Sequence, residues 1–190
     1  AKDKCIDGLA DMEATFQALM SKAFTGELTA EWETINADWI QEQIILQEQL
    51  PRLILLTFIQ EISTRAEKAT QQDVMVTALM KYIFLLQMEG NGRRRYYQFK
   101  PYQHGPFARQ IYTDLKQLEK DELVLIENNE EEEKTSVSLV NTSKVGAELA
   151  ALPNDLKEDI TAILDKYGGL DDKDLMKFVC ETYPTYIKKS

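Results

Sequence analysis

Between Pro51 and Ala66 the chain reads Pro-Arg-Leu-Ile-Leu-Leu-Thr-Phe-Ile-Gln-Glu-Ile-Ser-Thr-Arg-Ala, apolar nearly all round a helical wheel. A helix with no polar face has to be enclosed by other elements, so the fold must build a core around this one. A bilayer span needs about 20 predominantly apolar residues, and Arg52 and Glu61 interrupt a run already too short. A second apolar helix is expected from about Gln71 to Glu89, with Val76, Leu79, Met80, Ile83, Phe84 and Leu86 marking it as the central core helix. Thr70 followed by Asp73 resembles its capping box, and Gly90-Asn91-Gly92 ends it.

Residues 3–24 read as an amphipathic helix. Cys5, Leu9, Met12, Phe16, Leu19 and Ala23 alternate steps of four and three, the period that presents one apolar stripe to a partner helix. Gly26 stops that helix. Thr29 is the expected cap of a second helix running from Ala30 to about Gln49, with Trp32, Ile35, Trp39 and Ile40 on its apolar side. Pro51 is expected to interrupt or restart it, because proline lacks the amide donor and clashes one turn back.

After the core helix, Arg93 to Phe99 reads as a short extended segment, with a tight turn around Tyr102-Gln103-His104-Gly105-Pro106. A helix is expected over Phe107–Lys120. Leu123–Glu127 and Thr135–Val140 read as the strands of a hairpin whose loop carries Glu130–Glu133. Helix, helix, hairpin is the order of a winged-helix unit. Asp155–Tyr167 and an Asp171-capped helix over Asp172–Thr182 close the chain. The expected class is α+β, mostly α, in three parts: a coiled-coil-like helix (1–28), connecting helices (29–70) and a winged-helix-like domain (71–190).

Charge narrows the function. The chain has 190 residues and a net charge of −10. Up to Thr70 there are 6 basic and 12 acidic residues, and beyond it 16 and 20, so neither part has the basic surplus that phosphate binding needs. The two cysteines, Cys5 and Cys180, are too far apart in sequence to suggest a zinc motif or disulfide framework, and a reducing cytoplasm fits. No secretory leader pattern is visible. The chain starts without Met inside a helical pattern, which reads as a fragment with residues upstream.

No catalytic, metal or cofactor site is expected. The one histidine, His104, sits in the Gly-Pro turn, where local backbone hydrogen bonding is its expected role. No serine or cysteine is placed with a base, and Gly90-Asn91-Gly92 follows a helix, whereas a phosphate cradle needs glycines between strand and helix. Arg93, Arg94 and Arg95 are the one basic cluster and the candidate DNA contacts, with Tyr96 and Tyr97 available to stack on bases. Four glutamates at the hairpin tip weigh against DNA contact.

The segment Phe16-Gln-Ala-Leu-Met-Ser-Lys-Ala-Phe-Thr-Gly-Glu-Leu-Thr29 resembles the end of the C-terminal helical region of type I restriction-modification specificity subunits, a bacterial family with a characteristic LxxKAFxGEL ending. The match covers Leu19, Lys22, Ala23, Phe24, Gly26, Glu27 and Leu28. It implies a non-catalytic subunit that docks modification (methyltransferase) and restriction subunits, and that reads DNA through two target-recognition domains absent from this chain. Leu9, Met12, Phe16, Leu19 and Ala23 are then the expected partner-binding residues, and self-association through the same helix is a further expectation. About 160 residues continue past the usual ending. There, Leu79–Leu86, Tyr102-Gln103-His104-Gly105-Pro106-Phe107 and Ile111–Leu115, with Tyr183-Pro184, resemble the Panacea or SocA-like antitoxin-associated domains, which act through protein contacts.

Overall fold

Leu53, Ile54, Leu55, Leu56, Phe58 and Ile59 are all buried, as an apolar run of this kind requires. Thr57 between them donates its hydroxyl to the Leu53 carbonyl at 2.7 Å, which satisfies its one polar group. The computed structural model describes residues 15–22, 25–66, 74–91, 94–129 and 134–188. Contacts divide the chain into two compact units, with the boundary between Gln47 and Glu48.

In the first unit, residues 15–22 are helical. Gly26 follows with φ +76°, a left-handed conformation that L side chains rarely adopt. Its carbonyl accepts the amides of Thr29 and Ala30 at 3.1 and 3.0 Å, so helix α1 (Glu27–Ile35) starts from Gly26. Thr29 is therefore not the cap, and its hydroxyl also donates to the Gly26 carbonyl. The single helix expected over Ala30–Gln49 is divided at Asn36. Ile35, expected on the apolar side, is exposed, and the Trp32, Trp39 and Ile40 side chains lie outside the described residues.

Helix α2 (Ala37–Ala66) runs through Pro51 without interruption, contrary to the expectation. A proline inside a helix costs about 3 kcal/mol. The six buried apolar side chains that follow contribute roughly 1.5–3 kcal/mol each, which exceeds that cost.

In the second unit, β1 (Val74–Met75) pairs antiparallel with β5 (Lys134–Leu139), Val74 facing Val137 and Met75 facing Ser136. Helix α3 (Val76–Glu89) thus begins five residues later than expected, because Val74, which is buried, and the half-buried Met75 are spent on strand pairing. Thr70 and Asp73 lie outside the described residues. Helix α3 is buried from Ala78 to Leu86 and is the centre of the unit, packing on β1, β5, β3 (Gly105–Phe107), α6 (Asn154–Tyr167) and α7 (Asp172–Thr182).

A small hairpin follows, β2 (Lys100–Tyr102) and β3 (Gly105–Phe107), turning at Gln103-His104. Gly105 at φ +91° closes the turn. Helix α4 (Arg109–Lys120) buries Ile111, Leu115 and Leu118 along one face. Strands β4 (Val124–Asn129) and β5 (Lys134–Leu139) pair from Val124–Leu139 to Asn129–Lys134, and the three-stranded sheet has the order β1-β5-β4.

Helices α5 (Thr142–Leu149), α6 (Asn154–Tyr167) and α7 (Asp172–Thr182) come next, with a 3-10 turn over Pro184–Tyr186. The Asp171 carboxylate accepts the Asp174 amide at 2.8 Å, the cap read from the sequence. The chain is thus α+β and mostly α.

Candidate functional site

Three groups of residues bear on function. The first is the leading helical segment. Phe16, Leu19 and Met20 stand three and four residues apart, which places them on one helix face, and they are 58%, 50% and 38% exposed. Leu9, Met12 and Ala23, expected on the same stripe, lie outside the described residues.

The second is the arginine strip. Arg94 is paired with Asp155 at 3.2 Å on α6, Arg95 is exposed, and Arg93 lies outside the described residues. Tyr97 corrects the stacking expectation. It is 3% exposed, and its hydroxyl donates to Asp114 at 2.8 Å. Burial, reinforced by the Asp114 charge, pushes its phenol well above the usual range. The Gln87 side chain holds the strand-like backbone here, accepting the Tyr96 and Tyr97 amides at 3.1 and 2.7 Å. This segment is therefore pinned to α3 and α4, and Tyr97 cannot stack on a base.

The third group surrounds the core helix. At its C-terminal end the Glu89 carboxylate accepts Lys166 Nζ at 2.8 Å, the Tyr167 hydroxyl at 2.8 Å and the Tyr183 hydroxyl at 3.0 Å. Burial alone would raise this carboxyl, but the hydrogen bonds and the Lys166 charge outweigh it and hold it below the usual glutamate range. Burial and the bond to Glu89 push Tyr183 up to about 12. Phe84, one turn earlier, meets Phe99, Tyr183 and Tyr186 edge-on at 5.2, 5.1 and 4.8 Å. These contacts fasten the C-terminal segment to α3.

Further along the helix a cavity of about 310 Å³ opens beside Lys81. Met75, Ala78, Leu175 and Met176 give it apolar walls, while Lys81, His104, Lys134, Asp172 and Lys173 supply its polar groups. Lys81 is only 6% exposed, and among the described residues it makes no hydrogen bond or ion pair. Burial pushes its ammonium below the ordinary lysine range, with Cys180 and Asp172 opposing in part. Burial and the neighbouring Asp171 raise Asp172, and Lys134 and Lys81 oppose that. His104 is exposed at the rim and makes no hydrogen bond among the described residues, so its expected backbone bonding in the turn is corrected. Gly105 brings the hairpin close to α7: a Cβ there would stand 3.4 Å from Cys180 Sγ. The signal for this site was a lysine inside the apolar run Leu79–Leu86, but the run itself was read only as core.

Among the described residues, no three His, Cys, Asp or Glu side chains are grouped so as to hold a metal ion. No described helix is long and apolar enough to cross a membrane. The chain matches no protein-family model, and no curated protein is significantly similar to it.

Proposed function

We propose that this chain is a non-catalytic, partner-binding region of a type I restriction-modification specificity subunit, working in the bacterial cytoplasm. The observation that carries the reading is the exposed Phe16, Leu19 and Met20 face in the segment that resembles the family's ending. Exposed large apolar side chains on one helix face have a favourable free energy of burial that another polypeptide can realise. Modification and restriction subunits are the proposed partners, with DNA read by the target-recognition domains of such a subunit. The domain from Glu48 onward is an appended protein-binding module of winged-helix type. Its strand order β1-β5-β4, with α3 and α4 between β1 and the hairpin, supports that type.

The test is sedimentation velocity of the chain alone and mixed with its modification subunits. Phe16→Asp combined with Leu19→Asp is expected to abolish association and leave the thermal transition of the second unit unchanged. Association of undiminished strength in that variant would remove the reading.

A winged-helix DNA-binding or antitoxin-like regulator is the competing reading. Arg109, Lys116 and Lys120 lie exposed on α4 and favour it. The Arg94–Asp155 pair and the acidic balance of the chain oppose it. Salt-sensitive binding to duplex DNA, lost when Arg93, Arg94 and Arg95 are changed to Ala, would favour the regulator.

A further inference from the structure

We infer that the cavity between α3, α7 and the start of β5 is a binding site for an apolar carboxylate, with Lys81 as its charge partner. The inference is independent of the assembly reading, which rests on the leading helix.

Lysine is almost never buried without a partner, because an ammonium loses its hydration there. Every fully enclosed side-chain nitrogen or oxygen among the described residues has a hydrogen-bond partner. Lys81 has none, so its ammonium must reach accessible space, and the space it lines is this cavity. The side chain is thus more than nine-tenths buried, unpartnered, and aimed into an apolar hollow.

The surroundings specify the ligand. Among the described residues, Lys81 and Lys173 face the Asp172 carboxylate in the wall of the cavity, with Lys134 beside them. The Asp171 carboxylate, next in sequence, accepts the Asp174 amide as the α7 cap, and its charge still acts on Asp172. The first turn of α7 also borders the hollow through Asp172 and Lys173, and a helix N-terminus favours negative charge. Met75, Ala78, Leu175 and Met176 match an aliphatic body. A volume of about 310 Å³ fits one branched aliphatic acid or the last residue of a peptide. A carboxylate with a small apolar body satisfies Lys81 and fills the walls. A phosphate, bulkier in charge and without an apolar part, would leave the walls wet.

Two sources share this chemistry, a free aliphatic acid and the C-terminus of a partner chain. Amide-resolved NMR titration of the full chain with four probes separates them: 4-methylpentanoate, its primary amide, a pentapeptide ending in Leu, and the same peptide amidated. Saturable shifts centred on Thr77, Lys81 and Leu175 are expected with the acid or the free-ended peptide. Each amide is expected to bind at least tenfold more weakly. Tighter binding of the free-ended peptide identifies a chain terminus, and equal or tighter binding of the acid identifies a small molecule. Lys81→Met is expected to abolish binding of both. Thr77→Trp, which keeps Lys81 and plugs the exposed rim, is expected to do the same, so the result does not depend on how one variant folds. Lys120→Met is the control and is expected to bind as the parent does. The inference is overturned if neither carboxylate saturates, if amides bind as well as acids, or if Lys81→Met binds normally.

Discussion

Lys81 sits where a hydrophobic residue would stabilise the fold more. Its stem packs among core residues of α3, while its ammonium makes no hydrogen bond or ion pair among the described residues and keeps only part of its access to water, at the cavity. Methionine keeps the stem volume and removes the charge, so Lys81→Met is expected to stabilise the chain by about 1 kcal/mol at pH 7, at the low end for an uncompensated polar group because the tip reaches the cavity. The pH dependence follows from the direction of the shift. The folded state holds this proton less tightly than the unfolded chain, whose lysine titrates near 10.5. Between the depressed folded value and 10.5 the unfolded state binds more protons, so the Lys81 contribution to stability rises with pH. That rise is expected to disappear in Lys81→Met. Urea midpoints at pH 7 and pH 10 measure both effects. A loss of stability at pH 7 would mean that the ammonium is structurally supported, whatever it binds.

At the scale of elements, Glu89 joins the end of α3 to α6 through Lys166 and Tyr167, and to the residue after α7 through Tyr183. Glutamine offers one oxygen and a donor where only acceptors fit, so Glu89→Gln is expected to cost about 2 kcal/mol, the scale of hydrogen bonds to a charged group. The folded carboxyl titrates below the usual 4.5, so its contribution is complete above that value and is lost as pH falls through the depressed one. Thermal melts from pH 7 to pH 3 should therefore show a steeper acid loss in the parent than in Glu89→Gln. These ties also explain what was legible beforehand. Helices α4 and α6 showed in the sequence because buried residues recur at helical spacing, at Ile111, Leu115 and Leu118 in one and at five positions from Leu156 to Tyr167 in the other, and α7 showed through its Asp171 cap and the Pro184 beyond it. Helix α5 did not, since only Val145 and Leu149 are buried in it. Strand β1 was hidden because two residues carry no period of their own and are defined by their partner, Val137 and Ser136. The Lys81 cavity was hidden for a similar reason: three of its walls come from segments about 25 to 100 residues away, brought together only by packing.

For the whole molecule, every buried apolar side chain among the described residues lies at Leu53 or later. The expected domain start at Gln71 placed α2 among the connectors, yet its second half supplies Phe58, which stacks on Tyr82 of the core helix at 6.2 Å. A local reading of a helix that is apolar on all sides gives its burial but not the element it is buried against, so the compact unit reaches back to Glu48. A fragment of residues 48–190 should therefore fold by itself. Starting there places Pro51 in the first helical turn, where its fixed φ and missing amide suit the helix end. No described buried apolar contact is removed, so the fragment is expected to stay within about 0.5 kcal/mol of the full chain and to unfold in one cooperative transition. It should also have lost the association that depends on Phe16 and Leu19 while keeping carboxylate binding at Lys81. Denaturant melts with sedimentation velocity check this. A broad, non-cooperative melt would show that residues before Glu48 complete the core, and the two units would then have to be treated as one.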